Sequence, residues 1–281
     1  MTTAELRKAG IELLSRAGFD SPSHECDYIL SGALKLPLLE LQLDPQREID
    51  SSRSSTLLEM LHRRALHEPA QYILGTASFR ELELQVTPAV LIPRPETEEL
   101  VTLALKHAFP GARVLDMGTG SGAIPIALKT ERPDLQLTAA DLSSEALAVA
   151  RANAALYNAE IEFLSSDLWQ NLQGRIFDLV TANLPYVSED EYKQCSSEIF
   201  YEPVMALTAP HDGLELMEKM IRELHEHLSP DGCAIFELSP WQNPLICTLG
   251  KSLEFKADAV NDLEGKARFV ILQKECSPLC S

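Results

Sequence analysis

Four consecutive residues, Asn183, Leu184, Pro185 and Tyr186, form the most specific chemical pattern in the chain and follow a predicted buried strand. The side-chain carbonyl of Asn183 and the backbone carbonyl of Leu184 can accept both N–H bonds of a planar NH₂ group. Two such acceptors raise the electron density on the nitrogen, aim its lone pair and stabilise charge developing in the transition state. Tyr186 can stack on the flat group, and Pro185 restricts Leu184 to an extended conformation. The pattern predicts methyl transfer to an amide or exocyclic nitrogen, and a polar turn is the alternative.

A glycine-rich turn earlier in the chain predicts a nucleoside cofactor. Gly118, Gly120 and Gly122 follow a short buried strand, and glycines there let the backbone approach a ligand and turn sharply into a helix. The spacing is not that of a dinucleotide fingerprint, and no Lys-Ser/Thr pair follows, so the turn is not a phosphate-binding P-loop. The next predicted strand ends at Asp141, 19 residues after Gly122, where a carboxylate can accept both hydroxyls of a ribose. This pattern suits S-adenosylmethionine; a structural turn and an NAD enzyme are the alternatives.

A third segment, Asp167-Leu168-Trp169, follows the predicted third strand, where the adenine of such a cofactor would lie. Asp167 is expected to face the adenine amino group, and Leu168 or Trp169 to pack against the ring. The alternative is a strand end followed by a core aromatic residue.

The elements that must position these residues alternate between strand and helix from residue 113 onwards. Such alternation predicts a right-handedly wound parallel sheet whose ligand crevice lies beyond the carboxyl ends of the strands. The last two strands are joined by a loop too short for a crossover, so one of them should be antiparallel. The predicted strands are Val114–Met117, Leu135–Ala140, Ile161–Leu164, Phe177–Ala182, Cys233–Leu238, Phe255–Val260 and Ala267–Gln273.

The first third of the chain has a different pattern. Residues 1–70 show helical periodicity, with a capping box at Thr2 and Glu5. Residues 71–93 alternate between polar and apolar and predict a β-hairpin. The prolines that follow predict a rigid entry into a helix. Arg94 and Glu96 either close over the cofactor or substrate, or form an ion pair and a helix cap.

Composition excludes several classes of protein. The 281 residues include 24 Lys+Arg and 42 Asp+Glu, a net charge of −18, which weighs against partners bound through phosphate groups and against anionic membranes. No segment reaches the roughly 18 apolar residues of a membrane span, and the first residues show no signal-peptide core. The cysteines are scattered and no metal site is visible, so reduced thiols and a cytoplasmic location are expected. A disulfide between Cys276 and Cys280 is the alternative.

Several motifs, in their order along the chain, resemble the HemK family of protein-(glutamine-N5) methyltransferases, which act on class I peptide-chain release factors. Together they cover nearly the whole chain, and their combination is more specific than any one of them. The motifs are Pro69–Gly75, Ile92–Glu98, Asp116–Gly122, Asp141–Ser143, Asn183–Tyr186, Glu202-Pro203 with Ala206-Leu207, Asp212–Leu214 and Asp262–Arg268.

The resemblance implies an α/β fold: a Rossmann-like, seven-stranded methyltransferase domain that uses S-adenosylmethionine, preceded by a small all-α domain and a β-hairpin linker. It implies a helical substrate-recognition domain over 1–70, the linker over 71–93 and the catalytic domain over 94–281. The implied substrate is the glutamine of the release factor's Gly-Gly-Gln loop, with no nucleic acid or membrane as a partner. Carried over by position, the cofactor is lined by Gly118, Thr119, Gly120, Ser121, Gly122, Asp141 and Leu168, and the glutamine is held by Asn183, Leu184, Pro185 and Tyr186, with Asn183 also near the methyl donor.

Two departures from the family pattern bear on these expectations. Leu184 replaces the usual first proline of the acceptor motif, which lowers the expected rigidity of the loop but keeps the backbone carbonyl. Ser239-Pro240 stand where a glycine is common. An adenine-N6 DNA methyltransferase would use the same acceptor chemistry on a flipped base, but it would need a basic groove. A non-catalytic factor-binding module is a further alternative, for which Leu184 is the only hint.

Overall fold

The computed structural model describes residues 1–274, which form two compact units. The first consists of residues 1–76 and 196–201, and the second of residues 77–195 and 202–274. Cys276 and Cys280, and with them the possible disulfide, lie outside the described residues. Within the described range none of the helices is both long and apolar enough to cross a membrane.

The first unit is built from five helices around an apolar core. The helix α1 begins with the predicted capping box, because the Thr2 hydroxyl accepts from the Glu5 N–H and the Glu5 carboxylate accepts from the Thr2 N–H. Leu6, Ile29 and Leu61 are fully buried between the helices. The helices are α1 (Thr3–Arg16), α2 (Pro22–Leu34), α3 (Leu38–Leu43), α4 (Ser51–Ala65) and α5 (Ala70–Leu74).

Residues 196–201 join this unit through Arg64, whose side chain is 5% exposed. Its guanidinium donates to Glu25 and to Glu198, both at 2.7 Å, and the Tyr201 hydroxyl donates to the Leu66 carbonyl. A buried guanidinium left without partners would be costly, so these contacts tie the later segment to the helices. Sequence analysis missed this return of the chain, because a short segment held by polar contacts leaves no periodic pattern.

The predicted hairpin is shorter than expected. Residues 71–74 lie in α5, where Tyr72 and Ile73 are both buried, and two adjacent buried residues do not fit the two-residue period of a strand. Gly75 ends the helix with a φ of 77°, a conformation that favours glycine. The hairpin itself comprises β1 (Thr76–Phe79) and β2 (Leu82–Gln85).

The second unit contains a seven-stranded sheet in the order β5-β4-β3-β6-β7-β9-β8. All pairs are parallel except those of β9, which runs antiparallel to both neighbours and confirms the prediction for the last two strands. Strand β7 begins at Leu228, earlier than predicted, because Leu228 pairs with Phe177 across an irregularity in the ladder. The strands are β3 (Arg113–Met117), β4 (Gln136–Asp141), β5 (Ile161–Ser165), β6 (Phe177–Ala182), β7 (Leu228–Glu237), β8 (Phe255–Asn261) and β9 (Ala267–Lys274).

Helices cover both faces of this sheet, which buries one apolar cluster on each side. The helices of this unit are α6 (Pro95–His107), α7 (Ala123–Glu131), α8 (Ser144–Leu156), α9 (Glu189–Tyr192), α10 (Val204–Leu207), α11 (Glu215–His227) and α12 (Asn243–Ser252). The chain proceeds from β3 outwards to β4 and β5, then returns to β6 on the other side of β3. Such a reversal opens a crevice beyond the carboxyl ends of β3 and β6, and the fold therefore confirms the predicted α/β architecture.

Candidate active site

One cavity of the second unit lies at this crevice and brings together most of the predicted site residues. Gly122 and Tyr186 are not among the residues that line it. Those that do are Gly118, Thr119, Gly120, Ser121, Asp141, Asp167, Leu168, Asn183, Leu184 and Pro185.

The glycine turn and Asp141 form one hydrogen-bonded unit. Gly118 and Gly120 have φ values of 72° and 54°, which favour glycine. The Gly120 N–H donates to one carboxylate oxygen of Asp141 at 2.8 Å, and the Ser143 N–H donates to the other at 2.9 Å. Burial raises the pKa of Asp141, and these N–H donors act in the opposite direction. Each oxygen still has acceptor capacity toward the cavity, so the turn and this carboxylate fit the ribose and amino-acid ends of S-adenosylmethionine.

Gly122 does not line the cavity; it contributes to the packing of α7 against α8. It precedes α7 with a φ of 82°, and a Cβ there would lie 3.0 Å from Ile126 and 3.2 Å from Ala150. The glycine therefore allows the first turn of α7 to approach α8 closely.

The segment after β5 contributes two residues to the cavity and one to the core. Leu168 lines the cavity with a φ of 46°, and Asp167 lies beside it. Trp169 is 1% exposed, donates its indole N–H to the Met220 carbonyl and stacks on His227 at 4.1 Å. The adenine-packing interpretation is therefore wrong for Trp169, which is a core aromatic residue.

The acceptor loop, Asn183–Tyr186, is held by Thr97, which sequence analysis did not single out, and by the side chain of Leu184. The Asn183 side-chain NH₂ donates to the Thr97 hydroxyl at 3.1 Å, and Thr97 lies in the first turn of α6. The Leu184 side chain is 5% exposed and lies over Gly118, where a Cβ would be 2.8 Å from its Cδ2. Burial of this side chain restrains the loop at the position where the family usually has proline.

Tyr186 is fixed through its backbone. The Gln242 side chain donates to the Tyr186 carbonyl at 2.9 Å, and Gly213 packs so closely that a Cβ would be 2.1 Å from the same oxygen. Burial raises the pKa of Tyr186 to about 12, so its hydroxyl stays protonated at neutral pH.

Arg94 and Glu96, whose roles were open, have different partners. Arg94 lines the cavity and forms an ion pair with Glu202, a buried carboxylate that also accepts from the Ile92 N–H. Glu96 lies 3.9 Å from Arg268. The side chain of Arg94 thus combines an ion pair with a position on the cavity wall.

Two buried carboxyl groups stand near the cavity at strand ends. Burial raises the pKa of Asp116 to about 7, although the Thr181 hydroxyl donates to it at 2.8 Å. Burial likewise raises the pKa of Glu237, at the end of β7, to about 7. Sequence analysis missed Glu237, although an acidic residue at the end of an apolar strand resembles the signal that identified Asp141.

We expect the free energy of unfolding to fall by about 5 kcal/mol as the pH rises from about 5 to about 8. The folded protein holds protons on Asp116 and Glu237 up to about pH 7, whereas the unfolded chain releases them near pH 4. Carboxyls with lowered pKa, such as Asp178 beside Arg113, act in the opposite direction only in more acidic solution. Urea unfolding at four pH values measures the slope, which Asp116→Asn should flatten. A stability that rises over this range would contradict the two raised pKa values.

The expected effect of Asp141→Ala is a weaker affinity for S-adenosylmethionine by about 10- to 100-fold. The variant removes the carboxylate that we expect to accept from the ribose, and with it the partner of the Gly120 and Ser143 N–H groups. Isothermal titration calorimetry with the cofactor measures the change. Asp258→Ala, which removes an exposed carboxylate from β8 at the edge of the sheet, is the control. Equal affinities of both variants would exclude a cofactor-binding role for Asp141.

A glycine turn, an acidic strand end and an Asn-containing loop after a parallel strand that share one cavity are features of S-adenosylmethionine-dependent methyltransferases. The methyltransferase small domain family matches residues 97–213. A solved methyltransferase from Pyrococcus furiosus has the same fold, with a TM-score of 0.54 at 19% identity over 80% of this chain and 99% of its own.

The particular family follows from the rest of the chain. The PrmC N-terminal domain family matches residues 5–75. A release factor glutamine methyltransferase from Koribacter versatilis is 36% identical over 99% of this chain and 100% of its own length. One from Deinococcus radiodurans is 34% identical over 92% of this chain and 93% of its own. This chain belongs to the release factor glutamine methyltransferase family, an S-adenosylmethionine-dependent class of enzymes, which confirms the resemblance found in its motifs.

Proposed function

We propose that this chain transfers the methyl group of S-adenosylmethionine to the side-chain amide nitrogen of the glutamine in the Gly-Gly-Gln loop of class I release factors. The observation that carries this proposal is the orientation of Asn183 in the cavity. Its NH₂ group is engaged by Thr97, so its carbonyl oxygen is the group available to an N–H donor. The glycine turn lines the same cavity.

The cofactor, when bound, supplies an electrophilic methyl group on a sulfonium. The Asn183 side-chain carbonyl and the Leu184 backbone carbonyl accept the two N–H bonds of the substrate amide and orient its lone pair. Bond formation between the amide nitrogen and the methyl carbon would be matched by cleavage of the carbon–sulfur bond, whose electron pair would stay on sulfur, so positive charge would move from sulfur to nitrogen. The two carbonyl dipoles stabilise that charge, and the nitrogen then releases a proton to solvent. No strong general base is required in this scheme.

The remaining site residues and regions have supporting roles in the proposal. Gly118, Thr119, Gly120, Ser121, Asp141, Asp167 and Leu168 hold the cofactor, Gly122 shapes the turn, and Pro185 and Tyr186 support the substrate glutamine. Residues 1–70 recognise the release factor, residues 71–93 link the domains, and residues 94–281 carry out catalysis. A substrate that acts in translation termination supports a cytoplasmic location for the reaction. The net charge of −18 disfavours nucleic acid and anionic membranes as further partners.

The test uses labelled S-adenosylmethionine with three acceptors: a release factor, the same factor with its loop glutamine replaced by alanine, and double-stranded DNA. We expect label only on the unmodified factor. Label on DNA would support the adenine methyltransferase instead, and label retained by the alanine variant would exclude the loop glutamine as the acceptor.

A further inference from the structure

Glu237 is a buried carboxyl group that the proposed methyl transfer does not use. Its side chain is 1% exposed at the carboxyl end of β7. Strands β6 and β7 are parallel with Ala182 opposite Phe236, so the next residues, Asn183 and Glu237, lie side by side. The polar end of the acceptor loop therefore has a carboxyl group as its immediate neighbour.

Both side chains face the same helix. Side chains two residues apart on a strand share a face, so Asn183 lies on the face of Thr181 and Leu179, and Glu237 on the face of Ile235. Leu179 and Ile235 pack in the apolar cluster that contains Leu100 of α6. The first turn of α6 brings Thr97, which is 5% exposed, onto this same face.

Thr97, Asn183 and Glu237 lie together at this point. The Asn183 NH₂ donates to the Thr97 hydroxyl at 3.1 Å, and both side chains interact with the Glu237 carboxyl group. One oxygen of that group, Oε2, is buried with no hydrogen-bond partner within residues 1–274. A carboxylate can only accept, whereas a carboxylic acid can also donate. An ionised Glu237 therefore requires the NH₂ group of Asn183 to face it. A protonated Glu237 also permits the carbonyl oxygen of Asn183 to face it.

We infer that ionised Glu237 is a positioning residue that holds the Asn183 amide with its carbonyl oxygen toward the cavity. The inference rests on the proposed function, because that oxygen is the acceptor for the substrate amide. When Glu237 is protonated, the amide can turn so that its NH₂ faces the cavity. An NH₂ group there would place a donor against the N–H donors of the substrate, so it could not accept their hydrogen bonds.

The charged groups around Glu237 set the pH range of this effect. Burial raises its pKa most, the Thr97 hydroxyl and Arg268 lower it, Glu96 raises it, and Asn183 lowers it, with the result at about 7. Tyr186 lies in the same electrostatic environment and stays neutral, since burial raises its own pKa. The positive charge of Arg94 acts in the opposite direction and lowers the pKa of Tyr186. Ionisation of Glu237 therefore falls in the neutral range.

The first test is the pH dependence of kcat with saturating release factor and cofactor. In the wild-type protein kcat should rise with an apparent pKa near 7. Glu237→Gln should lower kcat at pH 8 by about tenfold and remove this rise, because a glutamine amide accepts or donates equally well and no longer selects one orientation. Glu162→Gln, on the exposed edge strand β5, should keep the wild-type profile. A Glu237→Gln variant with an unchanged profile would overturn the inference.

The second test needs no cofactor or substrate. The side-chain ¹⁵N–¹H signals of Asn183, identified by their loss in Asn183→Ala, should shift with a midpoint near pH 7 in the wild-type protein and stay constant in Glu237→Gln. Signals that do not shift in the wild-type protein would overturn the positioning role. If the signals shift but no release factor is methylated, the proposed function fails while the Glu237–Asn183 coupling stands.

Discussion

Asn183→Ala should lower kcat for release-factor methylation by about 10²- to 10³-fold, the loss usual for removal of a transition-state acceptor or donor. The expected change in the dissociation constant of S-adenosylmethionine is less than about threefold. The physical reason is that, in the proposed mechanism, the Asn183 carbonyl acts on the substrate nitrogen, whose charge develops only during the reaction. Single-turnover kinetics and calorimetry measure the two quantities separately.

The control for this variant is Gln136→Ala, which removes an exposed side-chain amide from the first residue of β4, at the end of the strand away from the cavity. Circular dichroism at the assay temperature shows whether both variants are folded. If Asn183→Ala turned over substrate at a rate close to wild type, the acceptor role would be excluded. If Asn183→Ala lost affinity for S-adenosylmethionine in proportion to its loss of kcat, the main role of Asn183 would be to bind the cofactor.

Gly213→Ala is expected to have the second large effect, on stability and on kcat together. A Cβ at this position would lie 2.1 Å from the Tyr186 carbonyl oxygen and 3.0 Å from the Gln242 side-chain nitrogen, so the backbone itself must move. The φ of 82° adds strain for any residue with a side chain. We expect a loss of about 3–5 kcal/mol in the free energy of unfolding, and a lower kcat in the molecules that remain folded.

Gly265→Ala separates the steric clash from the backbone strain. Gly265 has a similar φ of 81°, but no atom lies within 4 Å of the position that a Cβ would take there. Its replacement should cost only the strain, about 1–2 kcal/mol, and leave kcat unchanged. Urea unfolding and steady-state kinetics compare the two variants. Equal losses in both would mean that the Gly213–Tyr186 contact does not hold the acceptor loop.

The parts of the site that sequence analysis predicted are those at strand ends. Asp141 and Asn183 each follow an apolar run, and parallel strands bring their carboxyl ends to one edge, so the sequence already places both residues near one crevice. The seven strands were predicted for the same reason, because buried strands are short apolar runs separated by turns. The length of one loop predicted that one of the last two strands is antiparallel, and the structure shows that this strand is β9.

The parts that were missed depend on contacts between distant segments. Thr97 meets Asn183 across 86 positions of sequence, and no local pattern shows which helix face will cover a strand end. The hairpin was extended wrongly over residues 71–75, because a short helix with two buried residues resembles an apolar strand when tertiary contacts are unknown. Leu184 was expected to loosen the acceptor loop, and only the structure shows that its side chain is buried.

The contact of Leu184 with Gly118 has a consequence for the cooperativity between S-adenosylmethionine and the release factor. The leucine side chain leaves no room for a Cβ on the glycine turn, so a shift of that turn displaces the acceptor loop as well. Two ligands that favour the same arrangement of a shared contact increase each other's affinity, and this coupling is reciprocal. S-adenosylmethionine should therefore tighten the affinity for the release factor by the same factor by which the release factor tightens the affinity for S-adenosylmethionine.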